Sequence, residues 1–267
     1  MNRPLFAHLW RSQRTKLLIV CLAMAGWSLF LPVIYQSFGS QMKALADSGI
    51  FPKELMNFGG GDVFSLGGAI ALGYAHPITI ILVATFAIGF TTASIAGERQ
   101  RGTLEVLLAR PMSRRRLHAT ELAAVLVFIA FILAAAIIGT VIGSALAGVL
   151  DQLPVERLPM LWLNGMLLWG CFAAIGLAAS VSFDRFTPAI GVTLAIVVVM
   201  YFLEILGSLW PDAKGLQPYS LFHYLSARDI LAGTVNLAGF ALLAVVAAAA
   251  IGYALVVFPR RDLAAPS

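Results

Sequence analysis

Long uncharged runs alternate with short charged connections along this chain. The runs are Leu17–Tyr35, Val63–Gly97, Leu122–Leu150, Leu158–Phe183, Phe186–Leu203 and Ile230–Pro259. A helix needs about 20 apolar residues to cross a hydrocarbon core, and each run supplies nearly that or more. The second run is too long for one simple span and is interrupted at His76-Pro77. Proline is tolerated in the first turn of a helix but not comfortably inside it. The break therefore predicts a short outer segment over about 64–75, capped by His76, and then a span from about Ile78 to Ala96. Six spans result, near 17–35, 78–96, 122–146, 161–182, 188–209 and 236–258.

The expected fold class is an all-α membrane protein with six transmembrane helices. Residues 1–16 form an N-terminal interfacial helix, in which Leu5, Phe6, Leu9 and Trp10 make an apolar stripe flanked by Arg3, His8, Arg11 and Arg14. Residues 17–258 form the transmembrane domain, 97–121 a cytoplasmic segment within it, and 259–267 a short tail. The first run is longer than a signal-peptide core and has no A-x-A-like site after Tyr35, so it is expected to be retained. Composition agrees: hydrophobic residues make up 60% of the chain, against roughly 45–50% in soluble domains.

Charge sets the expected orientation. With the N-terminus inside, the inner segments hold 13 of the 18 lysines and arginines. The outer segments hold the other five, Lys43, Lys53, Arg157, Lys214 and Arg228. Inner loops of membrane proteins are enriched in basic residues, so both termini are expected in the cytoplasm, in a bacterial-type plasma membrane. The net charge of +5 is then a topological signal and implies no nucleic-acid partner. Cys21 and Cys171 lie inside expected spans, without metal-ligand spacing, and read as small packing residues.

One connection breaks the apolar pattern. Gly97–Leu117 reads GERQRGTLEVLLARPMSRRRL, with two acids and six arginines, although charged residues are only 12% of the chain. Leu104, Leu107 and Leu108 recur at i, i+3 and i+4 and share one helical face. Arg101 and Glu105 form an i, i+4 pair on another. Gly102 interrupts the start and Pro111 ends the segment, which predicts a short amphipathic helix over about Gly102–Ala109. Its leucine ridge has two uses open to it, the lipid interface or a protein partner.

This stretch resembles the signature of ABC-2 type permeases, the membrane subunits of a class of ATP-driven transporters. Their E-R-x-x-G-T-L-E-x-L-L-x-x-P-x-S-R pattern is matched by Glu98, Arg99, Gly102, Thr103, Leu104, Glu105, Leu107, Leu108, Pro111, Ser113 and Arg114. The six-span plan fits as well, so the resemblance covers essentially the whole chain. It implies a coupling helix that docks on a separate nucleotide-binding subunit, and a second permease copy to pair with the two ATPases. It also implies export. ATP and Mg would be held by that partner, and no cofactor by this chain.

The absences are consistent with that division of labour. No G-x-x-x-x-G-K-[ST] occurs, and Gly59-Gly60-Gly61-Asp62 lacks the lysine and hydroxyl that would hold phosphate and magnesium. Glu204 is the one acid inside an expected span, near its outer end. It is the candidate intramembrane polar site, since a mid-bilayer charge costs about 2.5–3.5 kcal/mol on insertion scales. Contact with a substrate or ion, and an interhelical bond, are both open to it. The outer segments, 36–65 with short helices over Gln41–Ser48 and Pro52–Phe58, and Pro211–Gly233 with an amphipathic helix over about Ser220–Ala232, could gate an exit or receive an extracytoplasmic partner. A machine that passes ATPase motion to such a partner, moving no solute itself, is the alternative function. An intramembrane enzyme would need converging catalytic groups that the spans lack.

Overall fold

The computed structural model describes residues 1–47, 65–104 and 112–261. The glycine run Gly59–Asp62, the short helix expected over Pro52–Phe58, and most of the tail lie outside them. The described residues are helices and turns, with no strand among them. Five helices are long and apolar enough to cross a membrane, and a bent pair, Leu66–Ala75 and Pro77–Phe90, makes a sixth if counted as one span.

Helix α1, Arg3–Asp47, runs for 45 residues, about 68 Å at 1.5 Å per residue. The interfacial helix expected over residues 1–16 is therefore no separate element, and Gln41–Asp47 prolong the same helix rather than start a new one. Pro4 sits in the first turn, and no further proline interrupts the helix before Pro32. The N-terminal stripe is also used differently from expectation. Phe6, Leu9 and Trp10 pack on the protein's own core, and the Trp10 ring lies 6.1 Å from that of Phe128.

Helix α2, Leu66–Ala75, meets α3, Pro77–Ala84, at a 46° bend. His76 caps the second helix as expected, its side chain accepting from Ile78 N at 3.2 Å. The chain then continues through two π-helical stretches, Thr85–Phe90 and Ala93–Gly97, into a last α-turn, Glu98–Gln100. The remaining long helices are α4, Arg114–Leu146, α5, Leu158–Ser182, α6, Phe186–Leu209, and α8, Leu237–Arg260. The helix expected over Ser220–Ala232 is instead split. A 3₁₀ turn, Leu221–Tyr224, precedes the short helix α7, Ala227–Ala232.

Small residues set the packing. Gly139 and Gly143 of α4 face the α1 backbone, where an added Cβ would run into the carbonyls of Ala25 and Leu29. This G-x-x-x-G therefore joins two helices of one chain, since small side chains let backbones approach closely. Helix α5 sits at the centre, with Leu168, Trp169, Phe172 and Leu177 buried. At the end remote from Gly97–Arg114, Asn164 of α5 uses its whole amide. It donates to Tyr224 O at 3.0 Å and accepts from Ser226 N at 3.0 Å. Arg157 donates to Leu231 O at 2.7 Å.

Candidate functional site

The site is built where α3 leaves the bundle. Thr91, Thr92 and Ser94 turn their hydroxyls onto the backbone carbonyls of Ala87, Ile88 and Thr91. Hydroxyls bonded this way compete with the helical ladder. The decisive group comes from α5. Ser180 Oγ donates to Thr92 O at 3.0 Å and accepts from Ile95 N at 3.1 Å and Ala96 N at 2.9 Å. One donor and two acceptor positions are the full capacity of a hydroxyl, so Ser180 satisfies backbone groups at the second π-stretch. Such stretches are rare and occur often at functional sites.

The helix ends immediately afterwards in a tight knot. Gly102 has φ +71°, a left-handed conformation that glycine adopts without steric cost. Gly102 N donates to Arg99 O at 2.9 Å and Thr103 N to Glu98 O at 3.0 Å. These are the paired bonds of a Schellman C-cap. The Glu98 carboxylate closes the knot by accepting from Thr103 Oγ1 and from the Arg101 guanidinium. Arg101 reaches back to Glu98, and Glu105, its expected forward partner, lies outside the described residues.

Beyond the knot the chain plugs into the bundle. Leu104 is only 2% exposed, clustered with Ile95, Leu117, Val181, Ala254 and Phe258. The expectation of Leu104 on an outward ridge is corrected here, because after the left-handed turn at Gly102 its side chain points back into the core. Glu105, Leu107, Leu108 and Pro111 lie outside the described residues. On the far side, Ser113 is the N-cap of α4, its side chain accepting from Arg116 N. Arg114 donates to the carbonyls of Phe258, Pro259 and Arg261 at 2.7–3.3 Å.

An ionic clasp binds this assembly to the other helices. Asp184, in the short α5–α6 turn, accepts from Arg99 at 2.6 Å and from Arg261 at 2.5 Å. Arg261 also donates to Val181 O, and Gln100 accepts from Phe186 N. The segment is thus tied to α5, α6 and α8 at once.

The family model for the ABC-2 family transporter protein matches residues 6–263. The chain belongs to that family. ABC-2 proteins are membrane subunits of ATP-binding cassette transporters, generally non-catalytic and paired with an ATP-binding subunit. No curated protein matches the chain. In this ABC-2 protein the described part of the signature, Glu98–Leu104 with Ser113 and Arg114, forms the knot, the plug and the cap.

The other expected polar site lies at the remote end. Glu204 of α6 accepts from Gln217 Nε2 at 3.1 Å, and His223 Nδ1 stands 3.6 Å from its second oxygen. A cavity of about 240 Å³ adjoins them. Partial burial holds His223 below the ordinary histidine range. The sequence also hid two buried polar residues. His118 and Glu121 stand one turn apart on α4, 1% and 3% exposed, and neither His118 nitrogen nor Glu121 Oε2 has a partner. Glu204 is thus not the one acid in a candidate span. Helix α4 begins at Arg114 and contains Glu121.

Proposed function

We propose that this ABC-2 protein is the permease subunit of an exporter, driven by a separate ATPase that docks on residues 97–121 from the cytoplasm. The observation that carries the proposal is the clasp. A push on residues 105–111 would pass through the Gly102 knot and Leu104 into α3, and through Arg99, Asp184 and Arg261 into α5, α6 and α8. The excess of basic residues on this side supports a cytoplasmic orientation. Two ATPases closing on each other would require two such segments, hence a second copy of this chain. Glu105, Leu107 and Leu108 are the docking residues, while Leu104 anchors the segment from within.

Co-purification with the co-expressed ATPase subunit tests this. Leu107→Asp/Leu108→Asp should abolish the complex and ATPase stimulation, with the thermal unfolding midpoint of the membrane protein unchanged. A complex that survives the double substitution would assign these leucines to lipid and remove the docking role.

A further inference from the structure

A second cavity opens beside the knot, about 290 Å³ in volume, between the first turns of α1, the π-helical stretches that follow α3, and α4. Its wall carries Glu121, Glu98 and Ser94, together with Gln13 and the apolar Leu9 and Phe90. Glu121 is almost wholly buried, and its Oε2 meets no donor. A buried carboxylate without a partner is costly, because its lost hydration is not replaced. Arg101, the only lysine or arginine among the described wall residues, is already bound to Glu98. The Ser94 hydroxyl spends its proton on Thr91 O and offers lone pairs to the space. His8 and Gln13 also bring donors to the wall, yet neither they nor Arg101 reach Glu121 Oε2, which is left without a partner.

We propose that this cavity binds a ligand bearing a primary ammonium group, which donates to Glu121 while its apolar portion lies against Leu9 and Phe90. An ammonium supplies three donors and one positive charge, and neither is set against Glu121 Oε2 by the wall itself. A charge-assisted bond to a desolvated carboxylate is also among the stronger hydrogen bonds. Guanidinium is the poorer fit, since its five donors in a fixed plane exceed what one buried carboxylate and one hydroxyl take up. Because Glu98 both lines the cavity and closes the knot, occupancy would bear on the segment that follows it. The ammonium has two sources, a soluble amine or a phosphatidylethanolamine headgroup reaching in from the adjacent leaflet. The site's existence does not depend on ATPase docking or on transport.

The test uses the full chain in phosphatidylcholine nanodiscs, whose headgroups carry no N–H, titrated calorimetrically with 2-phenylethylammonium. Saturable one-to-one binding is expected, with none of neutral 2-phenylethanol. Glu121→Gln should weaken binding at least tenfold. Ala93→Leu should do the same by filling the space with the carboxylate intact, which guards against a folding defect in the first variant. Phosphatidylethanolamine nanodiscs separate the sources. A lipid occupant would suppress the titration and stabilise wild type but not Glu121→Gln, whereas a soluble occupant would leave the titration unchanged between the two lipids. Two results would overturn the proposal: equal binding by wild type and both variants, or no binding in phosphatidylcholine together with no Glu121-dependent effect of phosphatidylethanolamine.

Discussion

The two ends of the bundle hold their buried polar groups to different degrees. At the remote end Asn164 spends both ends of its amide on the turn Tyr224–Ser226, and Gln217 holds one oxygen of Glu204, although Glu204 Oε2, the Tyr74 hydroxyl and the Ser144 hydroxyl are buried without a hydrogen-bond partner. At the signature end arginines grip carbonyls on the outside, while Glu121 and His118 stand inside with bonding capacity unused. Satisfied groups fix a shape, and a buried group left unsatisfied costs free energy until something arrives to satisfy it. The difference between the ends is one of degree: Asn164 and one oxygen of Glu204 are tied down, while Glu121 Oε2 and both His118 nitrogens are not.

The contrast can be broken most severely at Asn164. Asn164→Leu leaves a buried carbonyl and a buried N–H without partners, at about 1–3 kcal/mol each. The unfolding midpoint of the detergent-solubilised protein, followed by tryptophan fluorescence, should fall by about 5–15 °C. An unchanged midpoint would mean that the remote end is not held by its polar bonds. The two acids sharpen the contrast further. Glu204→Gln should lower the midpoint by a few degrees, having weakened a charge-assisted bond worth about 1 kcal/mol more than its neutral replacement. Glu121→Gln, measured without ligand, should leave the midpoint in place or raise it. Equal losses in both would erase the distinction between them. The smallest effect belongs to His223. Its folded-state value lies below the ordinary histidine value, so the unfolded chain takes up a proton first. Stability should therefore decline as pH falls through about 6.5. With a side chain 39% exposed, solvent limits the change to about a degree between pH 7 and 5.5. His223→Asn should flatten it, and a slope that survives that substitution would place the titrating group elsewhere.

Much of this architecture was legible from hydropathy and from one motif. The long helices emerged because length and apolarity suffice to recognise them, and the His76-Pro77 break because proline has few places to go. The motif residues were legible by type, but their directions were not. Leucines spaced i, i+3 and i+4 announce a shared face but not what that face meets, and the left-handed turn at Gly102 directs Leu104 into the bundle. Glu121 was hidden for another reason. It follows Arg114–Arg116 and reads as part of a solvated connection until α1 folds across it. That packing is marked by the bond from Asn2 N to Thr120 Oγ1, 118 residues apart in sequence, and no local window contains it. The second π-stretch was equally invisible, since its backbone groups are met by Ser180 approaching from a different helix.

Those π-stretches carry a consequence for how the signature is aimed. A π-turn closes over five residues where an α-turn closes over four, so each stretch absorbs extra chain without advancing the helix by an ordinary step. Every residue of an α-helix rotates the next by about 100°. The direction in which Glu98 and Arg99 leave the bundle is thus set by a count of residues between Thr85 and Gly97. A single deletion there that restored an α-helix would preserve every side chain of the signature, yet it would swing Arg99 about a quarter-turn away from Asp184. For this connection, phase is as much a part of the motif as its letters.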